Sequence, residues 1–293
     1  MLGKLFNRAN ATLTLQLDSG TGIYTPGDQV QVQITARTEK DLSVREGRVI
    51  FRYEERYAVK KEEYDSHDEE WETTTSWHMH DYIVADHIFL ADQILSGGTE
   101  KTFTVTFTVP TTAHPSYEGS IIKTSWTVKA TLDRERAFDV NEEIALNIGP
   151  TRTEKTMTVQ LGESSHPDAC RLSLWMPNQN WVQGETIEGK LLLHPKDDFS
   201  VRQIRLELLG EEEVPEEEGN WDEHIVHTIQ ILGETDFQPD SYQEIPFQFT
   251  LPTTTPITFQ TRRCEVASLL RAVLDRPMAT DYTVSANINV YRR

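Results

Sequence analysis

The chain contains the same pattern twice, at the spacing of a whole domain. Residues 127–148 read TVKATLDRERAFDVNEEIALNI, and residues 269–290, displaced by 142 positions, read LLRAVLDRPMATDYTVSANINV. Leu-Asp-Arg occurs in both copies, and a second Asp follows the first after six residues. A repeat of this length exceeds the roughly 20 to 50 residues of a solenoid unit and is typical of a complete domain. We therefore predict two homologous domains in tandem, spanning residues 1–149 and 150–293.

The earlier part of the repeat has a different displacement, and this locates an insertion. Tyr24-Thr-Pro-Gly-Asp corresponds to Trp181-Val-Gln-Gly-Glu, and Ser43-Val-Arg corresponds to Ser200-Val-Arg, both at a displacement of 157 residues. Since 157 exceeds the later displacement of 142 by 15, the first copy carries 15 extra residues. We place them between about Phe51 and Phe103.

Apolar and polar residues alternate along most of the chain, which is the pattern of half-buried strands. Leu13, Leu15 and Leu17 form one such stripe, and Gly- and Pro-containing turns separate it from the next ones. About seven short strands in each half predict an all-β fold of two antiparallel, immunoglobulin-like β-sandwiches with a short linker. Residues 266–274 are rich in Ala and Leu, but they correspond to the alternating residues 125–131, so we predict a strand in both places.

Composition restricts the class of protein. Cys170 and Cys264 are too few for a disulfide framework and have no C-x-x-C spacing, which favours a reducing compartment. No segment approaches the ~20 apolar residues of a membrane span, and residues 1–8 lack an apolar export signal, so we expect a cytoplasmic protein without a transmembrane segment. A formal charge of −19 without a basic run argues against nucleic acid as a partner.

The motifs of common catalytic sites do not occur in this sequence. It contains no glycine-rich phosphate loop, no G-x-S-x-G and no H-E-x-x-H, so we expect neither an enzyme nor a cofactor. The alternative that stays open is a carbohydrate-binding or hydrolytic β-sandwich protein. That function would need an aromatic platform or a pair of acids in a cleft.

The ordered motifs resemble those of a known family. Tyr24-Thr-Pro-Gly-Asp, the segment Pro115-Ser-Tyr-Glu-Gly119 and the late Leu-Asp-Arg loop are similar to arrestin-like proteins of the arrestin-domain-containing type and their prokaryotic, sporulation-control-like relatives. The resemblance implies two concave β-sandwiches that act as a non-enzymatic scaffold or adaptor. The implied partner is a protein or peptide client, bound on concave sheet faces or at an edge strand. No Pro-Pro-x-Tyr motif is present, so recruitment of ubiquitin ligases is not implied.

Two matching loops are the most specific polar feature, formed by Asp133, Arg134 and Asp139 and by Asp275, Arg276 and Asp281. Asp side chains hold tight loops by accepting backbone hydrogen bonds, and an Arg can clamp a carboxylate. We predict that these residues fix the same loop in each domain. The alternative, implied by the resemblance, is that one loop takes part in an interdomain contact.

Acidic residues are concentrated in two corresponding stretches, Glu54–Glu72 with nine carboxylates and Glu211–Glu223 with eight. We predict solvated hairpin ends. A sharper alternative is docking of a basic partner. Calcium is a lesser alternative, because neither stretch has the spacing of an EF-hand loop.

The inserted segment contains histidines and aromatic residues together. His78 and His80 have the spacing of a two-histidine metal site on a strand, but Trp77 and Met79 alternate with them as though one face were packed, so we favour a site without metal. Aromatic residues on an added hairpin supply apolar area for binding. The predicted client contact therefore consists of Trp71, Trp77, His78, His80 and Tyr82.

Overall fold

The computed structural model describes residues 11–18, 23–65, 70–135, 138–150, 162, 164–214 and 219–292, with the backbone alone for residues 61–65 and 70–72. This part of the chain forms twenty strands and no helix. The strands are β1 Ala11–Leu17, β2 Ile23–Tyr24, β3 Gln29–Thr38, β4 Leu42–Asp65, β5 Glu70–Leu95, β6 Glu100–Thr108, β7 Tyr117–Glu118, β8 Ile122–Arg134, β9 Val140–Ile148, β10 Cys170–Trp175, β11 Asn180–Val182, β12 Thr186–Pro195, β13 Phe199–Val201, β14 Gln203–Val214, β15 Asn220–Leu232, β16 Thr235–Phe237, β17 Gln243–Thr250, β18 Phe259–Gln260, β19 Glu265–Asp275 and β20 Tyr282–Tyr291.

The chain divides into two compact units that do not follow the halves of the sequence completely. Unit 1 consists of Met1–Arg56, His78–Glu118 and Lys123–Gly149, and unit 2 consists of Tyr57–Trp77, Gly119–Ile122 and Pro150–Arg293. Two segments from the first half of the chain therefore belong to unit 2. The domain limits proposed from the sequence, with a boundary between residues 149 and 150, stay a prediction.

Apart from the two-stranded sheet β13-β16 of the second copy, the strands of the two copies follow one topology. In the first copy, a small sheet has the order β1-β3-β6, and a large sheet has the order β2-β9-β8-β4-β5 with β7 paired to β8. In the second copy, the small sheet is β10-β12-β17, and the large sheet is β11-β20-β19-β14-β15 with β18 paired to β19. Even the parallel pairings correspond, because β2 pairs with β9 as β11 pairs with β20. The predicted all-β fold of two tandem sandwiches is confirmed.

Each sandwich has its own apolar core, built from the alternating residues of the sequence. In unit 1 the core includes Val30, Val32 and Ile34 of β3, which are fully buried while the intervening glutamines are exposed. In unit 2 the corresponding strand β12 buries Leu191 and Leu193. Burial of one strand face explains why a period of two predicts these strands.

The copies differ most in the hairpin of β4 and β5. These strands have 24 and 26 residues, whereas their counterparts β14 and β15 have 12 and 13. The 15 extra residues inferred from the two displacements fall within this longer hairpin. Residues 66–69, between the two strands in sequence, lie outside the described residues.

Candidate functional site

The late loop of unit 1 is closed by hydrogen bonds within the loop. The backbone N–H of Arg134 donates to Asp139 Oδ1 at 3.4 Å, and Arg134 Nε donates to the carbonyl of Phe138 at 2.5 Å. Arg45 of β4 donates from Nη2 to Asp133 Oδ1 at 2.6 Å. The loop is thus joined to a neighbouring strand of the same sheet.

The late loop of unit 2 repeats this scheme at corresponding positions. The N–H of Arg276 donates to Asp281 Oδ1 at 3.0 Å, and its guanidinium donates to the carbonyl of Thr280 at 3.3 Å. Arg202, which corresponds to Arg45, donates from Nε to Asp275 Oδ1 at 2.8 Å. The geometry agrees with a loop-fixing role, and that role and the interdomain alternative both stay predictions.

The two loops differ in how firmly the first aspartate is held. The side chain of Asp275 is 15% exposed, whereas that of Asp133 is 36% exposed. Asp275 also accepts a hydrogen bond from Gln203 Nε2 at 3.4 Å and lies 3.8 Å from Arg205 Nη1. The hydrogen bond from Arg202 holds the pKa of Asp275 below its ordinary value, helped by Gln203 and the positive charges nearby.

The predicted client residues lie along β5, the outermost strand in the order of its large sheet. Trp77 and Met79 are 47% and 57% exposed, so the packed face that we inferred from their alternation with the histidines is wrong. His78 and Tyr82 are exposed as well, and His80 is partly buried. The side chain of Trp71 lies outside the described residues.

The acidic stretch Glu211–Glu223 is not simply a solvated hairpin end. Glu212 is 1% exposed, and its carboxylate accepts three backbone hydrogen bonds, each 2.9 Å long, from Ser120, Ile121 and Ile122. Glu212 and the three donors at residues 120–122 all belong to unit 2. Gly119 leaves room for this carboxylate, since a Cβ there would collide with it. Sequence reasoning missed this residue, because nothing in a run of three glutamates marks the middle one.

A second group of buried charges covers the outward face of β14 and β19. Glu207 is 4% exposed and accepts hydrogen bonds from Arg205 Nε at 2.7 Å and Arg271 Nε at 3.0 Å. Burial raises the pKa of the Glu211 carboxyl, and the negative charge of Glu223 raises it further. A charge buried between two arginines is weak evidence for added stability, because removing it from water costs free energy that the attraction must first offset.

The remaining ligating and nucleophilic side chains of the described residues are scattered or buried. No group of three or more His, Cys, Asp or Glu side chains among them is placed to hold a metal ion. Cys170 and Cys264 are buried free thiols, and burial raises the pKa of Cys170 to about 11, which makes it unreactive near neutral pH. Nor does any stretch described here form a helix suited to crossing a bilayer.

Comparisons with known proteins match each half of the chain separately. Residues 13–151 match the family described as Arrestin (or S-antigen), N-terminal domain, and residues 168–291 match the SpoOM protein family. Among solved structures, the chain is similar to Spo0M, a sporulation control protein from Bacillus subtilis, at 23% identity and a TM-score of 0.37. The match covers 42% of this chain and 49% of Spo0M, so it spans about half of that protein. No curated protein matches. These two matches support the resemblance of the chain to arrestin-like proteins and their sporulation-control-like relatives.

Proposed function

We propose that this chain is a non-enzymatic, cytoplasmic adaptor that binds a protein or peptide client along strand β5. One observation carries the proposal: β5 is 26 residues long, stands last in its sheet and exposes large apolar side chains. Ile83, Ile88 and Ile94 are each more than half exposed. An outermost strand offers backbone N–H and C=O groups for pairing with an added strand, and neighbouring side chains select which strand is added.

The surrounding residues support the same proposal. Trp77, His78, His80 and Tyr82 lie on β5 as well. The formal charge of −19 favours a client with basic segments, because opposite charge accelerates encounter.

The proposal is tested with the double variant Ile88→Lys/Ile94→Lys. Charged side chains on an outermost strand oppose strand addition, so we expect client binding to weaken at least about tenfold. The control is Thr12→Lys/Thr14→Lys, which places two lysines at exposed positions of β1 in the same unit. The measurement is the affinity for a protein captured from the source cells and then purified, combined with amide exchange of β5 in the complex.

Equal affinity of the wild type and the Ile88→Lys/Ile94→Lys variant would contradict the proposal. Absence of new amide protection along β5 in the complex would contradict the strand-addition mode in particular. Turnover of a carbohydrate or peptide substrate by the purified chain would contradict its non-enzymatic nature.

A further inference from the structure

Both sandwiches have an open groove at the same place on the small sheet. The groove of unit 1 has a volume of about 180 Å³, and that of unit 2 has a volume of about 390 Å³. Asp18, Gln31 and Gln33 line the first, and Trp175, Glu188 and Lys190 line the second. These two sets correspond residue by residue at the displacement of 157. The groove is therefore present in both copies of the fold, and different side chains line it in each copy.

Strand register places the lining residues of unit 2 on one outward face. Trp175 lies opposite Lys190, which lies opposite Pro246, and Glu188 lies opposite Gln248. Since Glu188 and Lys190 are two residues apart on β12, their side chains point to the same side. Ile187 and Leu191 alternate with them and are fully buried in the core. The groove consequently faces away from the core of the sandwich.

The charges in the groove leave one carboxylate available. Lys190 Nζ lies 2.7 Å from Glu244 Oε2, and this hydrogen bond raises the pKa of Lys190. Lys190 thus has a carboxylate partner on the neighbouring strand β17. Glu188 is exposed, and no residue in the described part of the chain forms an ion pair with it. It lies diagonally across the sheet from the half-buried Trp175, within reach of one long side chain.

An indole face beside an available carboxylate is suited to a cation. Tryptophan is the strongest of the aromatic rings in binding ammonium and guanidinium groups, and a carboxylate accepts the planar guanidinium through two hydrogen bonds. We infer that the groove of unit 2 binds an arginine or lysine side chain of an extended client peptide. This inference rests on the proposed function and adds the chemistry by which the client is selected. The charge of −19 disfavours an acidic peptide as the occupant.

The test uses a fluorescent, end-capped decapeptide of alternating arginine and serine, titrated against the full chain. Substitutions Trp175→Ala and Glu188→Gln should each weaken binding about tenfold, and Trp175→Phe, which keeps an aromatic face, should weaken it about threefold. Two controls in the same unit change exposed residues of the same types: Trp221→Ala and Glu234→Gln should stay within about twofold of wild type. Far-ultraviolet circular dichroism confirms the fold of each variant.

Several results would overturn the inference. One is equal weakening by Trp175→Ala and Trp221→Ala, which would show attraction to net charge alone. A second is equal binding of a glutamate-serine decapeptide, and a third is competition by a linear glucose oligosaccharide, which would assign the groove to sugars. The proposed function is tested separately, by the affinity of the Ile88→Lys/Ile94→Lys variant for the captured client. Either conclusion can therefore fail while the other stands.

Discussion

Glu212 is a buried carboxylate whose charge is balanced by backbone groups. Its three hydrogen bonds come from consecutive N–H groups at Ser120, Ile121 and Ile122, a short segment that unit 2 takes from the first half of the chain. The Asn220 side chain makes a second such link, donating from Nδ2 to the carbonyl of Ala58 at 3.1 Å. Hydrogen bonds to a buried charge are stronger than neutral ones, so this residue matters more than its exposed neighbours.

The substitution Glu212→Gln should destabilise unit 2 by about 1–3 kcal/mol, because an amide has one acceptor oxygen and its NH₂ group opposes a backbone donor. Glu213→Gln is the matched control, since Glu213 is the exposed neighbour and should change stability by less than about 0.5 kcal/mol. Urea unfolding gives the stability, and amide exchange at residues 120–122 should accelerate only in Glu212→Gln. Unchanged exchange at these amides would refute the assigned role.

The two late loops allow one structural element to be compared in two copies within the same molecule. Asp275→Asn should lower the melting temperature of its unit by about 2–4 °C, and Asp133→Asn should lower it less, because Asp133 is more exposed. Since the folded state lowers the pKa of Asp275, its carboxylate stabilises the fold fully above the ordinary value of 3.8, and this effect is lost as the pH falls from there through the lowered pKa of the folded state. The difference between wild type and Asp275→Asn should therefore shrink as the pH falls below 3.8. Melting curves between pH 3 and pH 7 measure it, and an equal effect in both loops would contradict the argument.

The strands themselves were predictable from sequence, and the side-chain sites were only partly so. Burial of alternate residues leaves a direct trace in the sequence, which is why residues 266–274 could be assigned to a strand despite their helix-forming composition. The loop hydrogen bonds were also foreseeable, because the Asp-Arg pattern occurs twice. The exposure of Trp77 and the burial of Glu212 could not be predicted, because each depends on segments that are distant in the sequence. The groove at Trp175 required the register of three strands, which alternation does not supply.

At the scale of the molecule, the duplication is asymmetric. Fragment 1–149 contains all of unit 1, whereas fragment 150–293 lacks the segments Tyr57–Trp77 and Gly119–Ile122 of unit 2. Parts of these segments are deeply buried, since Tyr57, Ala58 and Ile122 are each at most 2% exposed. Division of the chain at residue 150 should therefore affect the two units unequally.

Expressed alone, fragment 1–149 should melt within about 2 °C of unit 1 in the full chain, and fragment 150–293 should melt at least about 5 °C below unit 2. Glu212→Gln provides the internal check. Because the fragment lacks Ser120, Ile121 and Ile122, the carboxylate has lost its donors, and the substitution should cost nothing further there although it destabilises the full chain. The measurement is calorimetry of four proteins, namely the full chain and fragment 150–293, each with and without Glu212→Gln. An equal cost of Glu212→Gln in fragment and full chain would mean that the second sandwich is complete without the segments it takes from the first half.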